Sequence, residues 1–225
     1  MKITKYAQSC FLFEYQQGTT VLVDLGKYST IGGDLPNRLA MPTLFIVTHG
    51  HEDHYYPDII RAVLPFKHDI VIHTNEILAA QIAQDGFKPV PVTIGTKFIS
   101  SELQVMPLRT DHVVWDKVVP NFGFLIHSTE LILYYASDTR YIEPDILNLG
   151  CEIDLLIIPI SNRGLVMGMD DVIMFASKIH PKVVIPMHYD SPKDKGRVNP
   201  NCFATLARKA GLNVKVIKNG KTAIF

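Results

Sequence analysis

Leu44-Phe45-Ile46-Val47-Thr48-His49-Gly50-His51-Glu52-Asp53-His54 is the stretch that decides both fold and chemistry. Leu44–Thr48 is a short apolar run bounded by turn signals, the pattern of a buried strand. It leads straight into three histidines and an aspartate. In extended chain, residues two apart point the same way, so His49 and His51 can grip one cation together. Asp53 and His54 follow where the chain turns towards a helix opened by Pro57, and they can reach a second cation. Gly50 offers an unusual backbone angle or a close approach of main chain to an ion. At this chain's histidine and aspartate content, His-x-His-x-Asp-His arises by chance in roughly one chain in a thousand.

Two more segments end in candidate ligands. Leu131–Tyr135 reads as a strand ending just before Asp138, and Val183–Pro186 as one ending just before His188. His112 lies in a loop. Sites in α/β folds gather beyond the carboxyl ends of strands, so residues far apart in sequence can meet in one cleft. A lone histidine is more often packed or solvated than a ligand. Behind the His49–His54 cluster, His112, Asp138 and His188 count as ligands. Imidazole nitrogen and carboxylate oxygen suit zinc and its first-row neighbours.

The remaining pattern predicts strands at Cys10–Tyr15 and Thr20–Asp24 around a Gln16-Gln17-Gly18 turn. Further strands are predicted at Ile70–His73, within Val90–Met106, and at Gly123–His127, Leu155–Ile160 and Val214–Ile217. Helices are predicted from Pro57 (apolar face Ile59, Ile60, Val63, Leu64), at Asn75–Asp85 closed by Gly86, at Asp170–Ile179 with Asp170 as N-cap, and at Cys202–Ala210 stopped by Gly211. Strands precede, alternate with and follow helices, so the class is α/β (α+β). No composition shift marks a linker, and 1–225 reads as a single domain. The two halves share a rhythm of hairpin, buried strand, polar turn and helix, without a residue-level repeat.

With 22 basic and 22 acidic residues the formal charge is zero, which argues against a dedicated nucleic-acid binder. Three cysteines without short spacing exclude a disulfide scaffold and point to a reducing cytoplasm. There is no signal-like opening and no apolar run of membrane-spanning length. The expectation is a cytoplasmic protein acting on a small-molecule substrate, without nucleic acid or membrane as partner. A homo-oligomer is left open.

On these residues the chain resembles the metallo-β-lactamase superfamily over nearly its whole length. The resemblance implies a four-layer αβ/βα sandwich, metallo-β-lactamase-like, with a dinuclear site. His49, His51 and His112 would bind one metal. Asp53, His54 and His188 would bind the other, and Asp138, in Tyr135-Ala136-Ser137-Asp138-Thr139, would bridge them. The cofactors implied are two divalent ions, Zn2+ by default, with Mn2+, Fe2+ and Ni2+ sharing these ligand types. Between them a water becomes a hydroxide at neutral pH, and Asp53 orients it and handles its proton. The substrate class is a small ester, lactone or phosphodiester. Alternatives are a nuclease-type phosphodiesterase and a non-catalytic metal-binding protein.

Ser9-Cys10-Phe11-Leu12, Met167–Asp171 and Lys182–Tyr189 resemble the small single-domain branch that includes L-ascorbate-6-phosphate lactonase. One departure is Ala7-Gln8-Ser9, where relatives often carry Gly-His-Ser. No cysteine sits in a ligand motif, unlike true β-lactamases. The length leaves little room for the extra domain of the nuclease branches, and His51 stands where the flavodiiron branch has Glu. Asp24, after Val21–Val23, and Asp111 are expected to support the ligands, and Asn162 and Arg163 to lie on the site's side. His68, His127 and His180 read as surface residues, His73 as structural, Asp170 and Asp171 as helix caps, and Met167 and Met169 as an apolar wall or packing. Lys193–Arg197 reads as a solvated loop.

Overall fold

The computed structural model describes residues 1–30, 35–65, 70–161, 163–192 and 198–225. His68, Asn162 and the Lys193–Arg197 loop therefore lie outside the described residues. The chain runs β1 (Lys2–Lys5), β2 (Phe11–Glu14), β3 (Thr20–Val23), β4 (Leu44–Ile46), α1 (Pro57–Val63), β5 (Val71–Thr74), α2 (Glu76–Gln84) and β6 (Lys88–Pro91). It continues through β7 (Phe98–Ser100), β8 (Leu103–Arg109), β9 (Val113–Val114), β10 (Lys117–Val118), β11 (Phe122–His127), β12 (Ile132–Tyr135) and β13 (Leu155–Pro159). Then follow α3 (Met169–Ile179), β14 (Val183–Met187), α4 (Pro200–Lys209) and β15 (Lys221–Ile224).

Two sheets form. The first has the order β15-β1-β2-β3-β4-β5-β6, and the second β14-β13-β12-β11-β8-β7. In each, antiparallel strands give way to parallel ones, at the β3–β4 pair in the first and the β12–β13 pair in the second. The shared rhythm of the two halves is thus a shared sheet plan.

Strand periodicity of two sorts the side chains into layers. Phe11, Phe13, Val21, Val23, Leu44 and Ile46 of the first sheet meet Phe124, Leu133, Tyr135, Ile157 and Ile185 of the second. Their alternates face outwards. Leu22, Phe45 and Val47 pack under α1 and α2 with Ile60, Leu78 and Ile82. Tyr134, Leu156 and Val184 pack under α3 and α4 with Phe175, Ala176 and Phe203. Helices, sheet, sheet and helices make the αβ/βα sandwich.

Several local expectations shift. The last strand is Lys221–Ile224, which pairs with β1. Val214–Ile217 contributes only a single parallel bridge, Val214 to Val184, because the β14 edge beyond Val184 is not extended by it. The N-cap of α3 is Gly168, whose N–H donates to Asp171 Oδ2 at 3.2 Å; Asp170 is already inside the helix. Asn75 caps α2 by accepting from Leu78 N. Among the described residues no helix is long and apolar enough to cross a membrane.

Phe124 is 0% exposed and stacks on Tyr135 with ring centroids 5.0 Å apart. Phe124→Ala should cost about 3–5 kcal/mol in urea denaturation. Ile99→Ala, at a side chain 67% exposed, should stay within about 0.5 kcal/mol.

Candidate metal centre

The parallel strands carry their successors to one edge. Asp24 leaves β3, Thr48 and His49 follow β4, Ser137 and Asp138 follow β12, and His188 follows β14. Three of these turns are tight enough to force non-glycine residues into the left-handed region: Asp24 (φ 51°), Ser137 (φ 56°) and His188 (φ 62°), joined by Gln8 (φ 60°). Such conformations cost free energy and persist only where the surroundings impose them.

All seven predicted ligands come together. The donor atoms of His49, His51 and His112 lie within 4.8 Å of one another, as do those of Asp53, His54 and His188. A third such group is His49, His54 and Asp138, placed between the other two. His51 Nδ1 stands 3.1 Å from His49 Nε2 and 3.2 Å from His112 Nε2. Ligands of a tetrahedral ion at about 2.0–2.1 Å stand roughly 3.3 Å apart, so the spacing suits a shared cation. Asp138 Oδ2 is 3.2 Å from His188 Nε2, 3.8 Å from His112 Nε2 and 4.0 Å from His49 Nε2, while Oδ1 is 3.4 Å from His54 Nε2. Its carboxylate therefore touches both groups. Asp53 Oδ2 lies 3.4 Å from His188 Nε2.

The outer nitrogens of the rings are tied down. His54 Nδ1 is 2.9 Å from Asp24 Oδ2, His49 Nδ1 is 3.1 Å from Thr48 Oγ1, and His112 Nδ1 is 3.3 Å from the Leu165 carbonyl. With N–H groups on Nδ1 of His49 and His112, both of their Nε2 lone pairs turn towards His51 Nδ1. A proton on His51 Nδ1 can satisfy only one neighbour, and Asp138 Oδ1 and His188 Nδ1 are buried without a hydrogen-bond partner. Facing lone pairs and an orphaned carboxylate oxygen are what a cation would resolve, so these residues fit divalent metal.

The electrostatics agree. Burial holds His49, His51 and His112 below the ordinary imidazole range. Burial also works against charge on His54 and His188, but Asp138 leads the carboxylates that raise His54 well above that range and His188 to about 10. In return, and against burial, His54 and His188 hold Asp53 and Asp138 well below the usual carboxylate range.

Asp24 sits beneath the cluster. It accepts from Thr48 N at 2.8 Å, Thr48 Oγ1 at 3.0 Å, His54 and Tyr135 OH at 2.8 Å. Asp111 instead pairs with Arg140. Gly50 has no left-handed backbone, and a Cβ there would meet only Leu78 Cδ1 at 3.3 Å. The glycine that matters is Gly26, where a Cβ would overlap the Asp53 carbonyl. Sequence reading did not single out Gly26 or Tyr135, which act through chain segments remote in sequence, or Thr48, whose hydroxyl joins remote Asp24 to adjacent His49.

Gln8 is fully buried and donates from Nε2 to Asp53 Oδ2 at 3.2 Å. Its backbone N–H donates to Asp190 Oδ1, and the other Asp190 oxygen pairs with buried Lys5 at 2.9 Å. Lys5 also donates to the Tyr6 carbonyl and Asn219 Oδ1. Above the ligands opens a cleft of about 240 Å³, lined in part by Tyr28, Val114, Ser161, Arg163, Leu165 and Ser191. The other described histidines stay out of the site. His73 stacks on Phe98, half-buried His127 ends β11, and exposed His180 closes α3. Met167 lies in the core cluster beneath α3 and α4, and Met169 packs against it.

A four-layer sandwich with such a cluster at its strand ends has the architecture of a metallo-hydrolase. A family model described as a beta-lactamase superfamily domain matches residues 2–188. A UPF0173 metal-dependent hydrolase of Lysinibacillus sphaericus is 28% identical over 215 residues, 91% of each chain. One from Opitutus terrae is 27% identical over 231 residues, 99% of each. Igni18, a metallo hydrolase from Ignicoccus hospitalis, has the same fold, with a TM-score of 0.78 at 23% identity over 100% of this chain and 97% of the other. The chain belongs to the metallo-β-lactamase superfamily, and it is a metal-dependent hydrolase.

Asp24→Asn would turn an NH2 group towards donors. It should weaken metal binding at the Asp53–His54–His188 group about 10–100-fold and cost about 1–3 kcal/mol of stability, read by chelator competition and denaturation. Gly26→Ala should weaken the same group more than the His49–His51–His112 group.

Proposed function

We propose that the chain hydrolyses a small ester, lactone or phosphodiester at a pair of divalent cations, with zinc as the default metal. The observation that carries this reading is Asp138, whose two oxygens reach both donor groups at once. His49, His51 and His112 would hold one ion, Asp53, His54 and His188 the other, and Asp138 both. When bound, such ions polarise the scissile oxygen and lower the pKa of a shared water from 15.7 to about 7.

The chain's own groups do the rest. Asp53 lines the cleft, and Gln8 and His188 fix one of its oxygens. It is thereby placed to take the proton of the attacking water and return it to the leaving group. Arg163, also in the lining, sets positive charge opposite an anionic substrate or the charge that develops on a tetrahedral centre. A cleft of about 240 Å³ suits a compact substrate.

A nucleic-acid phosphodiesterase needs a basic track along its site. Among the described residues that line the cleft, Arg163 is joined by no second lysine or arginine, whereas Glu52, Asp53 and Asp138 are acidic. That balance favours the small-molecule reading.

Elemental analysis of the reconstituted protein should find two metal ions per chain. Asp53→Ala should lower turnover of bis-p-nitrophenyl phosphate or an ester panel by at least about 100-fold, lose one ion and keep the thermal midpoint within a few degrees. Wild-type rates in that variant would remove Asp53 from the mechanism. Equal turnover of RNA or DNA would replace the small substrate with a polymer.

A further inference from the structure

The chain has a single tryptophan, Trp115, and it is 89% exposed. It occupies the tip of the β9–β10 hairpin, a two-residue loop formed with Asp116. Both residues are left-handed, Trp115 at φ 50° and Asp116 at φ 60°. A two-residue hairpin loop of this kind favours Asn or Gly, and a bulky side chain with positive φ is a true outlier. Here the largest apolar side chain takes a strained position and buries almost nothing. Neither local propensity nor packing accounts for it.

Its place does. The hairpin leaves directly from His112, and Val119 N donates to the His112 carbonyl at 2.8 Å, so its base is pinned to a candidate ligand. Val114, the residue before Trp115, lines the cleft together with Tyr28 and Leu165. Trp115 thus follows a cleft-lining residue directly, with its Cα one step of about 3.8 Å further out.

We propose that Trp115 is a substrate-contacting residue. The hairpin tip covers the apolar, preferably aromatic, portion of a substrate whose ester or phosphoester group sits below it, and this selects substrates with such a group. The proposal rests on the cleft being the hydrolytic site, and it deepens that reading by naming a substrate class.

The sole tryptophan makes the test direct. In metal-loaded protein, Trp115 emission is followed during titration with phenyl methylphosphonate and with methyl methylphosphonate, while calorimetry measures binding independently. The expected result is a saturable blue shift with the phenyl compound alone, together with its tighter binding. Trp115→Asn should retain metal content and thermal midpoint. It should reduce the phenyl acetate over methyl acetate preference in kcat/KM about tenfold, and Trp115→Phe should restore most of that preference. Equal binding of the two phosphonates, or no spectral change once the phenyl compound saturates, overturns the proposal. So does a blue shift produced by phospholipid vesicles or by raising the protein concentration alone, which would make the tip a membrane or self-association contact. Phenyl-selective binding without turnover would sink the hydrolytic reading and leave the contact standing.

Discussion

The Asp24 carboxylate lies out of water between the two sheets, and burial of that kind is tolerated only because donors close around it. Thr48 N and Oγ1 come from the strand beside it, His54 from the ligand turn, and Tyr135 from the opposing sheet. Each donor is thereby fixed by a requirement that no other residue can meet. Thr48 is held, so His49 is aimed. His54 is held by one nitrogen, so its other nitrogen faces Asp53 and Asp138. Tyr135 is held, so β12 is tied to the residue that ends β3 in the opposing sheet and delivers Asp138 to the same point. The same hydroxyl also lies 2.8 Å from the Ser9 carbonyl, which ties in the loop that carries Gln8.

Much of this was legible from the residues, and the reason differs by level. The strands and helices announced themselves because burial on a two-sided sheet imposes a period of two, and Pro57, Gly86 and Gly211 punctuate the helices. His49 to His54 were legible because their spacing is local: the geometry that makes them converge is one turn of chain. His112, Asp138 and His188 could be proposed only because each follows a strand or sits in a loop. The resemblance to a known family, not spacing, assigned them to one cluster.

The unread part is the part made by long-range packing. Gly50 looked like the important glycine because it lies inside the motif, yet the close approach is made by Gly26, from a loop that precedes the motif by some two dozen residues. Lys5 falls outside every strand predicted from the sequence. Its burial depends on Asp190 and Asn219, which arrive from the far end of the chain. The β1–β15 pair was missed for the same reason: Lys2–Lys5 and Lys221–Ile224 are short and half polar, and their pairing joins opposite ends of the chain. Trp115 is different, since its strain comes from two backbone angles that composition does not encode.

The two halves of the fold use one plan for unequal ends. Each sheet turns from antiparallel to parallel beside a strand, β3 or β12, whose exit is left-handed, at Asp24 in one and Ser137 in the other. In the first half that exit supplies the buried carboxylate, and the neighbouring strand supplies four candidate ligands. In the second half the exit leads to Asp138, and the strands that follow give Ser161 to the cleft lining and His188 to the cluster. One half thus builds the support and most of the donors. The other supplies the shared carboxylate and most of the cleft's polar lining. A strained turn is worth keeping in both because the layered core between the sheets, from Phe11 to Ile185, leaves the strand ends nowhere else to go. Ligand geometry here is a consequence of sheet packing, and a change that loosens the inter-sheet core should scatter the seven donors before it unfolds the chain.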